Sequence, residues 1–103
     1  MDVSISMFYL LLVLTHPVHG YEIMKRVEEV SDGTIKIGAG TCYGLLARCV
    51  KEKLIKLIKD DGKKKTYLIT ELGKQLLDEE IASMRRQISH AEEYRGNKDD
   101  QAL

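Results

Sequence analysis

Eight apolar residues run without a break from Met7 to Leu14, and Pro17 closes the stretch. The run falls well below the roughly 18–20 residues that cross a bilayer. Only Asp2 precedes it as a charge, so the basic start of a signal peptide is also missing. The pattern fits a helix from Ser4 to Thr15 that is buried on more than one side. A chain of 103 residues buries only roughly 60–70% of the surface that its unfolded form exposes. That leaves room for one small domain, with part of the first helix free to meet a partner chain.

The elements that follow are well punctuated. Gly20 to Ser31 places Ile23, Val27 and Val30 on one helical face, with Glu22 in the first turn and Gly33 as a stop. After a connector, Ala39 to Glu52 sets Cys42, Leu45, Leu46, Cys49 and Val50 on one stripe and leaves Thr41, Tyr43, Gly44, Arg48 and Lys51 off it. Leu54 to Lys59 and Lys65 to Thr70 are strand-length runs separated by Asp60-Asp61-Gly62-Lys63-Lys64, a hairpin signal. Thr70 can N-cap a fourth helix, with Glu71 at its positive end. That helix is expected over residues 71–95, followed by a polar, disordered tail at 96–103.

Charge decides more than its total. Sixteen basic side chains balance sixteen acidic ones, which excludes a protein held to polyanions by bulk charge. Yet Lys51, Lys53, Lys56, Lys59, Lys63, Lys64 and Lys65 face only Glu52, Asp60 and Asp61, a local excess of +4. The cations have gathered at the end of the third helix and on the hairpin. Lysines can simply decorate solvated strands, but the order of elements favours a use for them. Helix, helix, turn, helix and basic hairpin is the order of a winged helix-turn-helix, here residues 1–70, mainly α with a small β-hairpin. Its third helix enters the DNA major groove while the hairpin lies along the backbone.

Each part has a physical role in that arrangement. The third helix starts among small residues, Gly38, Ala39 and Gly40, where free N–H groups can approach a phosphate. Thr41 can touch a base edge or thymine methyl, or it can cap the helix. Lys36 and Arg48 are candidate backbone contacts. Lys63, Lys64 and Lys65 follow a tight turn and can neutralise phosphates without reading sequence. Tyr21, beside Gly20, fits packing or hydrogen bonding at a helix start better than DNA contact.

Three blocks carry a resemblance. His16-Pro17-Val18-His19-Gly20-Tyr21-Glu22-Ile23, then Gly40-Thr41-Cys42-Tyr43, then Lys63-Lys64-Lys65-Thr66-Tyr67-Leu68-Ile69-Thr70-Glu71-Leu72-Gly73 resemble the signatures of the PadR-like transcriptional regulators in order and spacing. The resemblance covers roughly residues 5–85 and implies a homodimeric bacterial repressor of the short subgroup, with a single C-terminal dimerisation helix. It implies that the Tyr43 hydroxyl bonds a phosphate, a packing role being the alternative. This chain has Gly38-Ala39 and Gly44 where the family commonly shows Ser-Pro and Pro. Lys53 stands where the family's usual glycine ends the third helix, which disfavours a left-handed cap there.

Leu77, Ile81, Met84, Ile88 and Ala91 form an apolar seam on the fourth helix, too short for a stable coiled coil by itself. Phe8, Leu11 and Leu12 of the first helix are expected to supply the remaining surface, the fourth helix of one chain packing on the first helix of the other. Such a two-fold pair would present its third helices about 34 Å apart, one DNA turn, and read an inverted-repeat operator. A small-molecule effector between the subunits is a further expectation. The resemblance places Met84 near the position where some short relatives stack planar drugs on a tryptophan.

Other chemistries find little support. Cys42 and Cys49 lie about 10 Å apart along one helix, too far to bridge each other. With no disulfide framework the expected compartment is the cytoplasm. His16 and His19 have no thiolate or carboxylate cluster near them in sequence, so no metal site is expected. The run Asp78-Glu79-Glu80 reads as a solvated face, and no nucleophile, base and orienting group can be assembled. No cofactor is expected. A winged-helix module that binds protein and not DNA is the alternative function, and a small enzyme is disfavoured.

Overall fold

The structure, a computed structural model, describes residues 2–102, with side chains as far as residue 96. Its elements in chain order are α1 (Ile5–Val13), β1 (Val18–His19), a 3-10 turn (Gly20–Glu22), α2 (Ile23–Val30), α3 (Ala39–Lys51), β2 (Ile55–Asp60), β3 (Lys65–Ile69) and α4 (Glu71–Ala102). The three strands form an antiparallel sheet in the order β1-β3-β2. The fold is therefore mainly α with a small β-hairpin, as the sequence predicts.

The apolar run becomes the centre of the core. Ser4 caps α1 by accepting the Met7 N–H at 3.1 Å, and Met7, Leu10, Leu11 and Leu14 are fully buried. Burial of that kind contributes about 1.5–3 kcal/mol for each large apolar side chain. Around them pack Ile23 and Val27 of α2, Cys42, Leu46 and Cys49 of α3, Leu54, Ile55 and Ile69 from the sheet, and Leu77 of α4. Val50 departs from its predicted place and is 43% exposed. Each helical residue turns about 100°, so Val50 swings off the stripe that Cys42, Leu46 and Cys49 occupy.

β1 is too short to read from periodicity. It exists because Val18 and His19 pair with Tyr67 and Thr66 of β3, while the Ile69 N–H donates to the Leu14 carbonyl at 2.8 Å. The segment between α1 and α2 is thereby fixed to the hairpin.

The end of α3 corrects a second expectation. Lys53 adopts a left-handed conformation, φ 62°, although it is not glycine. Its N–H donates to the Val50 carbonyl at 3.0 Å, and the Leu54 N–H donates to the Cys49 carbonyl at 2.8 Å. This is the Schellman pair. The left-handed backbone costs about 1–2 kcal/mol for a residue with a Cβ. Burial of Leu54 to 2% exposure and the two satisfied carbonyls offset that cost.

α4 begins as predicted and ends later. The Thr70 hydroxyl accepts the Gly73 N–H at 3.1 Å and itself donates to the Lys53 carbonyl at 2.7 Å. The helix continues to Ala102, past the stop expected at residue 95, so the predicted disordered tail is helical as far as Ala102; Leu103 lies outside the described residues. Glu92, Glu93, Arg95, Lys98 and Gln101 are good helix formers, and Gly96 alone costs about 1 kcal/mol. No proline follows it.

The predicted dimer residues separate into two groups. Leu11 and Leu77 belong to the chain's own core, at 0% and 5% exposure. Phe8, Leu12 and Ile81 are half-buried, while Met84 and Ile88 are 38% and 59% exposed. Beside them a groove of about 290 Å³ runs between the start of α1 and α4, lined by Val3, Ile5, Phe8, Tyr9, Ile35 and Met84, among others.

Candidate nucleic-acid interface

α3 and the β2–β3 hairpin meet on one side of the molecule. Gly38 caps α3 with no side-chain hydrogen bond, and the first helical bond is from the Cys42 N–H to the Gly38 carbonyl. The N–H groups of Ala39, Gly40 and Thr41 therefore have no intrahelical partner. A Cβ added at Gly38 or Gly40 would meet nothing within 4 Å, so packing does not demand glycine there, and the tip of the helix stands open. Thr41 lies inside the first turn, exposed, and does not serve as the cap.

The hairpin turn is held from within. Asp60 accepts the Gly62 N–H at 3.0 Å, and Asp61 accepts the N–H groups of Lys64 at 2.8 Å and Lys63 at 3.3 Å. The Lys64 N–H, foremost among several causes, keeps the Asp61 carboxyl below its ordinary range. Gly62, at φ 90°, supplies the left-handed corner that the turn requires. Lys63, Lys64 and Lys65 are exposed, and none of them belongs to an ion pair among the described residues. Acidic side chains shape the turn through its backbone; Asp61 also feels the charges of Lys59 and Lys64, but no carboxylate closes an ion pair on Lys63, Lys64 or Lys65 among the described residues.

Between these elements lies a cleft of about 160 Å³ lined by Gly20, Tyr21, Tyr43, Leu46, Gly62, Lys63, Lys65 and Tyr67. It joins Tyr43 to Lys63 and Lys65, three residues singled out from the sequence. Gly40, Thr41 and Lys64 are exposed on the helix tip and turn but do not line it. Lys36 sits 3.7 Å from Glu28, and Arg48 sits 3.3 Å from Glu52. Arg48 lies about 10 Å along α3 from Thr41, away from the tip. Lys36–Glu28 is an exposed pair of the kind that contributes little to stability, whereas the Glu52 Oε2 that faces Arg48 is buried and accepts no hydrogen bond.

Tyr21 and Tyr67 also line the cleft, although the sequence favoured packing or helix-start hydrogen bonding for Tyr21 and did not single out Tyr67 as a contact. Tyr67 had a usable signal, because residues two apart on a strand share a face and Lys65 is two before it. Tyr21 had none, since β1–β3 pairing brings it to the cleft.

Cys42 and Cys49 are buried and free. Burial raises both thiols, that of Cys49 to about 11 with Glu52 adding to the rise and Arg48 opposing it. They therefore stay protonated and unreactive near neutral pH. Among the described residues no group of three His, Cys, Asp or Glu could hold a metal ion, and no helix is long and apolar enough to cross a membrane.

Helices packed under a basic hairpin, with the tip of the third helix open beside it, define a winged helix-turn-helix. Solved structures with this architecture include a PadR family transcriptional regulator from Eggerthella lenta, 27% identical with a TM-score of 0.65 over 82% of this chain and 71% of that one. Bacillus subtilis PadR, solved in complex with operator DNA, shares the fold at 22% identity and a TM-score of 0.67 over 78% of this chain and 48% of that one. The pattern of the PadR-like transcriptional regulators matches residues 10–79, and the chain belongs to that family. A relative described as the transcriptional regulator YqjI of Escherichia coli is 33% identical over 75 residues, 73% of this chain and 34% of its own length. The chain spans 23% and 66% of two further curated relatives.

Proposed function

We propose that the chain is a sequence-specific DNA-binding transcriptional regulator, a ligand-responsive homodimeric repressor acting on inverted-repeat operator DNA. One observation carries this reading: three exposed lysines that form no ion pair among the described residues lie on the same side as an open helix tip and a tyrosine-lined cleft. Gly40 and Thr41 approach base edges in the major groove, Tyr43 and the backbone at the start of α3 bond phosphates, and Lys63, Lys64 and Lys65 follow the flanking backbone. Lys36 and Arg48 serve as outer phosphate contacts that exchange a protein carboxylate for a DNA phosphate.

Met84 and Ile88, with Phe8, Leu12 and Ile81 beside them, form the dimer contact. α4 of one chain lies on α1 of the other, and the third helices are presented about 34 Å apart. An effector bound near Met84 acts only through different affinities for the DNA-competent and DNA-incompetent arrangements. Sedimentation that shows a folded monomer on dilution would rule out this assembly.

Selection from a random double-stranded pool at fixed salt tests the function directly. The expected result is an enriched palindrome. Absence of enrichment, together with binding that does not depend on salt, would favour a protein-interaction module. Tyr43→Phe is expected to weaken operator binding about tenfold, the worth of one hydrogen bond to a charged group. Titration by fluorescence anisotropy checks it, and an unaltered affinity assigns Tyr43 to packing.

A further inference from the structure

We propose that Tyr21 is a DNA-backbone contact and that His19 is the residue that positions it. The proposal rests on the DNA-binding reading above and adds to it two side chains outside the helix-turn-helix tip and the wing.

The chain reaches Tyr21 through β1. His19 is the register partner of Thr66, and their side chains are also joined, with Nδ1 and Oγ1 2.9 Å apart in a hydrogen bond. Thr66 is only 8% exposed, so this bond anchors the imidazole to a buried point of the hairpin. The imidazole stacks on the Tyr21 ring, centroids 5.7 Å apart and planes 4° from parallel. Gly20 lies between them in sequence, and a Cβ there would come within 3.3 Å of Tyr67 Cε2. The backbone is therefore pressed against Tyr67 before it releases Tyr21 to the cleft.

Packing against the core does not account for this arrangement. Tyr21 is 52% exposed and lines the cleft beside Tyr43, Lys63 and Lys65, yet it is fixed from behind by a stacked and hydrogen-bonded imidazole. A half-exposed tyrosine held on one face by a stacked imidazole offers a neutral donor beside the two cations that line the same cleft. A backbone phosphate oxygen suits that set, because ammonium groups supply charge and the phenol supplies a directional bond. Fixing the ring in advance reduces the ordering cost of forming that bond.

The test is a set of titrations of the full chain on a mixed-sequence duplex and on the selected operator. Tyr21→Phe should weaken both by about tenfold and leave the salt slope unchanged, because no cation is lost. His19→Ala should weaken binding when Tyr21 is present and have no further effect in a Tyr21→Ala background, since coupled residues are non-additive. His19→Phe, which retains a stacking ring without the hydrogen bond, should fall between His19→Ala and the unchanged chain. Tyr21→Phe binding as tightly as the unchanged chain overturns the contact. Equal losses from His19→Ala in both backgrounds overturn the positioning role. If the unchanged chain binds no duplex at all, the DNA-binding reading fails and this proposal fails with it.

Discussion

Gly73→Ala is expected to destabilise the chain by about 3 kcal/mol, at the upper end of what overpacking usually costs. Gly73 is buried in the first turn of α4. A Cβ at this position would overlap the Leu54 carbonyl oxygen and come within 2.7 Å of Ile69 Cγ1. Neither neighbour can withdraw. The Leu54 carbonyl accepts the Thr70 N–H at 2.9 Å, and Leu54 and Ile69 are each only 2% exposed. Relief must come from lifting the start of α4 away from Leu54 and the end of β3, which would also break the Thr70 cap. For a domain of this size the melting temperature should fall by more than about 10 °C, read by circular dichroism. Gly44→Ala is the control, because a Cβ there meets nothing within 4 Å and should gain about 1 kcal/mol of helix stability. An unchanged melting temperature for Gly73→Ala would contradict the close approach of α4 to Leu54 and Ile69.

Replacing Lys63, Lys64 and Lys65 together by alanine is expected to weaken duplex binding about 100-fold at moderate salt, from about 1 kcal/mol for each lost contact. The loss should be nearly the same on operator and on mixed-sequence DNA, since these side chains neutralise phosphates and read no base. The log–log salt slope should become shallower by about 0.9 for every phosphate contact removed, so Lys64→Ala alone should move it by close to one unit. Stability should hold, because the turn is organised by Asp60, Asp61 and Gly62 and exposed substitutions usually stay within about 0.5 kcal/mol. Unchanged affinity and slope in the triple variant would remove the hairpin from the interface.

Most of the fold was legible because its signals are local. The apolar run, the Asp-Gly turn and the Thr70 cap each depend on neighbours within a few residues. β1 was not legible, since two residues carry no period and their partners lie 47 positions away or more. The left-handed Lys53 was hidden for a related reason: the residue itself argues against the conformation, and the reward lies in Leu54 reaching the core. Periodicity placed Leu11 and Leu77 on plausible seams but could not tell a face turned toward a partner from one turned inward.

For the candidate site, clustering of lysines and the small-residue start of α3 pointed to elements that meet on one side of the molecule. Charge alone could not separate Lys36 and Arg48, which have acidic neighbours at 3.7 and 3.3 Å, from Lys63, Lys64 and Lys65, which form no ion pair among the described residues. Tyr21 depended wholly on a tertiary pairing.

The Thr70 hydroxyl donates to the loop that closes α3 and accepts from the first turn of α4. One oxygen atom is thus a fulcrum shared by α3 and the long helix. A tilt of the long helix has no slack joint to absorb it there; it pulls on the far end of α3 through two hydrogen bonds in series.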